Sequence, residues 1–117
     1  ASTAAHRGYA YGTAYGAAKH AVLGLVKCLA LEIARTGVTV NAISPGYSDT
    51  DLLAPGLGRM AQKAGISTEE AKTRFASDNP MGRLIQPEEV AAAVLYLCGP
   101  GSGSINGQSL LINGGEF

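Results

Sequence analysis

A chain of 117 residues, 46% hydrophobic and 15% charged, suits one small globular domain with a real core. Nine basic and nine acidic residues cancel, which excludes a net field that would draw nucleic acid or an anionic membrane. No secretory signal is visible and no apolar run is read as approaching a membrane span, so the expected compartment is the cytoplasm, with Cys28 and Cys98 as buried free thiols.

Residues 1–13 read as a loop of small residues carrying Ser2. Tyr9 and Tyr11 lack a lysine four positions on and read as wall or surface aromatics, and His6 reads as a solvated loop residue. Residues 14–35 form the longest helical pattern, with Ala18, Val22, Leu25, Val26, Leu29 and Ile33 at three- and four-residue steps. Ala21, Leu23 and Leu31 widen this stripe, which predicts burial on more than one side, and Gly37 marks the stop. Helical spacing puts Tyr15 and Lys19 on one face and His20 on another. A free phenol holds its proton at neutral pH. An ammonium about 5 Å away, at an effective dielectric near ~20, favours the phenolate by roughly 3 kcal/mol, which suits acid–base chemistry.

Residues 38–44 predict a short strand, from β-branched content between Gly37 and Pro45-Gly46. A long helix followed by such a strand is half of a βαβ unit, whose ligands bind beyond the carboxyl ends of the strands. Pro45-Gly46-Tyr47-Ser48-Asp49-Thr50 occupies that position, and Gly46 lets backbone approach a flat ring. Residues 51–80 read as an inserted lid: a short helix within 52–64 broken by Pro55, Gly56 and Gly58, then a capping box at Ser67 and Glu70 opening a helix to about Ser77. Pro87 with Glu88 and Glu89 starts the last helix, whose buried stripe is Val90, Ala93, Val94 and Leu97, with Gly99 as its stop. Arg83 ties the insertion's return to this helix, and a strand near Gln108 to Ile112 ends in Asn113-Gly114-Gly115.

The ordered set of Ser2, Tyr15 and Lys19, the Asn41-to-Thr50 segment, Asn79-Pro80-Met81-Gly82-Arg83 and Ile112-Asn113-Gly114-Gly115 resembles the C-terminal half of a short-chain dehydrogenase/reductase. The resemblance covers nearly the whole chain. It implies an α/β fold, the C-terminal portion of a doubly wound Rossmann-type parallel sheet, with 1–117 as a single unit and a dinucleotide-binding half upstream of Ala1. Nothing here matches the G-x-G-x-x-G turn of that half.

By the same resemblance the activity is hydride transfer between NAD or NADP and a secondary alcohol or ketone, a 3-oxoacyl compound among the candidates. Tyr15 is then the general acid and base, Lys19 favours its phenolate and holds the nicotinamide ribose, and Ser2 orients the substrate oxygen. Tyr15, Lys19, Pro45, Gly46, Ser48 and Thr50 are the cofactor-binding candidates. The family more often has an aliphatic residue at Ser48 and an aspartate at Asn113, so the backbone contact at Ser48 is the part carried over. No metal is expected, the partner is a small alcohol or carbonyl compound, and a homo-oligomer, tetramer or dimer, is the family habit. Two alternatives remain: a truncated, non-catalytic piece serving oligomerisation or interaction, and a pseudoenzyme that senses a dinucleotide.

Overall fold

The computed structural model describes residues 1–117. The chain opens on extended backbone at Ser2, whose Oγ accepts the Ala4 amide at 3.2 Å. Ser2 thereby caps a 3-10 turn over Thr3–Ala5, and all three residues of that turn are buried. Helix α1 (Thr13–Glu32) follows and packs against this turn. A second 3-10 turn, Ala34–Thr36, tightens its exit, and Gly37 at φ 80° redirects the chain as expected.

Strands β1 (Ala42–Pro45) and β2 (Ser109–Ile112) pair in parallel, Ala42 opposite Ser109 and Pro45 opposite Ile112. The first strand is shorter than the 38–44 expected, for a local reason. The Val40 amide donates to Asn106 Oδ1 at 2.8 Å, while the Asn41 side chain donates to the Ile105 carbonyl at 2.7 Å and accepts the Gln108 amide at 3.0 Å. Amide side chains interrupt the backbone ladder there, where only the Gly107 amide reaches the Val40 carbonyl, so regular pairing begins at Ala42. The Ala42 and Gly46 amides donate across to the β2 side, which leaves Ile43 facing the opposite edge. On that edge the Ala1 nitrogen donates to the Ile43 carbonyl at 2.8 Å, bringing Ser2 beside the end of β1.

The crossover between the two strands holds α2 (Ala54–Ala64), α3 (Thr68–Ser77) and α4 (Pro87–Cys98). Contrary to the expectation of a broken helix, α2 is continuous. Pro55 falls in its first turn, where no intrahelical amide bond is required, and a Cβ on Gly56 would lie 3.9 Å from the Phe75 ring of α3. The capping box of α3 forms in full, with the Ser67 hydroxyl on the Glu70 amide and the Glu70 carboxylate on the Ser67 amide. Arg83 forms two parallel bonds to Glu89 at 2.7 and 2.8 Å, fastening the insertion's return to α4 as expected. Those bonds, with the Gln86 amide, hold the Glu89 carboxyl down to about 2.

Burial departs from the sequence expectation. Only Val26 and Ala30 of α1 are buried, and no residue of α4 is fully buried. Leu25 is 62% exposed and Val94 44%, so the apolar stripes are real but stay largely uncovered. Cys28 and Cys98 are free, as expected, yet both are exposed. By length and composition α1 is apolar enough to cross a membrane, which corrects the expectation that no run reaches that length. A core helix of an α/β domain passes the same test, and Lys19 and Lys27 interrupt this one.

Candidate active-site cleft

A cleft of about 640 Å³ opens beyond the end of β1, where a parallel sheet presents its ligand sites. Ser2, Tyr15, Pro45, Gly46, Ser48 and Thr50 line it together, although they come from three separate stretches of sequence. Lys19 is not in the lining; its Nζ lies 5.3 Å from the centroid of the Tyr15 ring, one helical turn on. The helix thus delivers the side-by-side phenol and ammonium that the spacing predicted.

The Ser2 oxygen accepts the Ala4 amide, which leaves the hydroxyl hydrogen free to donate into the cleft. Downstream of β1, the Ser48 hydroxyl donates to the Gly46 carbonyl at 3.1 Å and the Thr50 amide donates to the Ser48 carbonyl at 2.9 Å. The Tyr47 carbonyl accepts the Ile85 amide and the Asp49 amide donates to the Ile85 carbonyl, both at 2.9 Å, so buried Ile85 pins this loop from beneath. Gly46 has a requirement beyond the one expected. A Cβ there would meet Glu116 Oε2 at 3.2 Å and the Asn113 backbone at 3.6 Å, so the chain's own tail occupies that side.

Several participants escaped the sequence reading. Tyr9 does line the cleft as a wall, whereas Tyr11 is fully exposed in a left-handed turn at φ 64° that leads into α1. The Tyr9 hydroxyl lies 3.1 Å from both Thr3 Oγ1 and Glu116 Oε1, and Arg7 forms an ion pair with the same carboxylate. The Arg7 guanidinium sits 4.8 Å from the centroids of both Tyr9 and Phe117. Hydrogen bonding to Tyr9, then the charge of Glu116, raises the Arg7 pKa above its ordinary value. This network joins residues at opposite ends of the sequence, and no local period could announce it.

His6 is the exposed loop residue expected, yet it is not without partners. Its Nε2 lies 3.1 Å from both Ser44 Oγ and Ser109 Oγ, bridging β1 and β2 below the cleft. Burial, then the charges of His20 and Lys27, hold it below the ordinary imidazole value. Burial likewise raises the Tyr47 phenol above its ordinary value, and its ring meets Phe75 edge-on at 4.6 Å. His20 bonds only the Gly16 carbonyl, and no group of side chains is arranged to hold a metal ion.

Residues 1–116 match the family described as enoyl-(acyl carrier protein) reductase. An actinorhodin polyketide ketoreductase variant solved with NADPH superposes with a TM-score of 0.92 at 43% identity, over 99% of this chain and 44% of that one. The 3-oxoacyl-acyl-carrier-protein reductase of Vibrio harveyi is 40% identical over 90% of this chain and 38% of its own length. The D-beta-hydroxybutyrate dehydrogenase of Rhizobium meliloti is 39% identical over 88% of this chain and 40% of its own length. This chain therefore spans less than half the length of these relatives. The cleft, the parallel strands and these matches agree that the chain belongs to the short-chain dehydrogenase/reductase family.

Proposed function

We propose that this chain is the catalytic portion of an NAD(P)-dependent reductase acting on the carbonyl of a small substrate, with a dinucleotide-binding half upstream of Ala1. The observation that carries the proposal is the Tyr15 phenol, beside the Lys19 ammonium, in the same cleft lining as the Ser2 hydroxyl. A nicotinamide dinucleotide, when bound, supplies the hydride for reduction and accepts it in the reverse direction. The donor set fits such a group: Lys19 has no ion-pair partner, and Pro45, Gly46, Ser48 and Thr50 line the cleft, where the Ser48 amide, which donates to no other group of the chain, would meet a carboxamide. Lys19 would hold the ribose hydroxyls.

The rest is proton management by this chain. Ser2 donates to the substrate carbonyl oxygen and fixes its direction. Tyr15 delivers the proton that oxygen needs as the carbonyl becomes an alcohol, and takes it back on oxidation. Lys19 stands 5.3 Å from the centroid of the ring that gives up this proton. The 51–80 insertion serves as a lid whose inner face sets substrate choice. The uncovered apolar faces of α1 and α4 support a homo-oligomer, and free thiols at Cys28 and Cys98 fit a reducing cytoplasm. The reductases and dehydrogenase among the relatives do not favour a purely interacting module. The test is nicotinamide absorbance with 3-oxoacyl thioesters and ketones, using the full-length polypeptide that carries this chain. Full turnover by Tyr15→Phe would reject the assigned acid–base role.

A further inference from the structure

The charges around the cleft are sorted by side. Arg59, on α2, is the one charged side chain in the lining, and no acidic side chain joins it. The rest of that wall is apolar or aromatic: Leu52, Leu53, Tyr47 and, across the cleft, Tyr9. The chain's three ion pairs use Arg7, Lys72 and Arg83, so Arg59 is left without an internal counter-ion. The acids nearest in sequence gather elsewhere. Asp49, Asp51 and Glu69 line a separate hollow of about 340 Å³ together with Lys72, which pairs with Asp49 at 2.8 Å. Helix α2 carries no acid at all, only Arg59 and Lys63.

We propose that Arg59 is a substrate-specificity residue that binds an anionic group, a carboxylate or a phosphate monoester, on the tail of the carbonyl substrate. This rests on the reductase reading of the cleft. A planar guanidinium presents paired donors that match both oxyanions, and its charge is constant across the working pH range. The apolar residues that line the cleft with Arg59 and Tyr15 suit a short acyl body, so the substrate would lie with its carbonyl at Tyr15 and its anion at α2.

The experiment compares matched pairs of substrates in the full-length polypeptide. Acetoacetate against methyl acetoacetate isolates a carboxylate. Acetoacetyl-4'-phosphopantetheine against acetoacetyl-pantetheine isolates a phosphate. For the anionic member of one pair, Arg59→Gln should raise KM about 10- to 100-fold with kcat little changed, while the neutral member is unaffected. Arg59→Lys should restore part of the loss, and added salt should weaken only the anionic member. The pair that responds identifies the anion. Equal effects on charged and neutral substrates would overturn the proposal. So would a rise confined to the KM of the nicotinamide cofactor, because the anion would then be the cofactor's own phosphate. Calorimetric titration with acetoacetate and with acetoacetyl-4'-phosphopantetheine requires no turnover. Undiminished binding of both by Arg59→Gln would reject the subsite, whereas absent turnover with Arg59-dependent binding would reject only the catalytic reading.

Discussion

The cleft wall carrying Ser2 and Tyr15 rests on buried Thr3, Ala4 and Ala5, whereas the insertion that supplies Leu52, Leu53 and Arg59 buries its residues mainly between its own two helices. On the first side a capped turn lies against α1 and β1, and the supporting bonds are short-range or run to strand backbone. On the second side α2 and α3 pack on one another and bury Ala61 and Ala71, and partly exposed ion pairs tie the insertion and its return to the rest, Lys72 to Asp49 and Arg83 to Glu89. Exposed ion pairs contribute little stability. The contrast teaches that the wall proposed for proton transfer rests on a turn packed against helix and strand, while the proposed lid packs mainly on itself.

Substitutions should separate the two sides. The largest effect is expected at Tyr15→Phe, a fall in kcat of roughly 10²- to 10⁴-fold, with the melting temperature unchanged because the ring is half-exposed. Next is Gly114→Ala. Gly114 has φ 60°, and a Cβ there would lie 2.1 Å from Asn79 Oδ1, at the point where the insertion returns to the sheet. Urea denaturation should show a loss of roughly 2–3 kcal/mol, and amide exchange should rise first near Asn79.

Acid should loosen the two sides in different windows. His6 sits below its ordinary value of 6.5 in the folded chain, so the unfolded chain binds its proton more readily. The stability it permits is complete above pH 6.5 and is lost as pH drops below that value. Glu89 has the sign of a paired carboxylate: its contribution is complete above pH 4.5 and is lost as pH falls to about 2. Amide exchange followed against pH should show opening near His6 before the Arg83 turn, and His6→Gln should remove the earlier step. The smallest effect belongs to Tyr11, a bulky residue at φ 64°. Tyr11→Asn should stabilise the chain by about 0.5–1 kcal/mol, a gain on the first side alone.

Much of this was readable before any coordinates. Tyr15 and Lys19 are one helical turn apart, Gly37 ends a helical run, Pro87 and the Ser67–Glu70 pair open helices, and each signal acts within a few residues. The stretch from Pro45 to Thr50, which lines the cleft, was placed beyond the strand end by a general property of parallel sheets. The failures share a cause. Periodicity shows which side of α1 and α4 is apolar but not what covers it, so the expected burial of Val94 and Leu25 was not found. The Thr3–Tyr9–Glu116–Arg7 network and the His6 bridge to Ser44 and Ser109 join distant positions through ordinary residue types. Only the folded path of the chain brings them together.

The contact between Gly46 and Glu116 also bears on how this protein can vary. The space is shared, so a methyl group gained at 46 must be answered by a shorter or displaced acid at 116. These two positions are therefore expected to change as a couple in natural variants. Moving the acid would also release Arg7 and Tyr9, so the double change would reshape the mouth of the cleft.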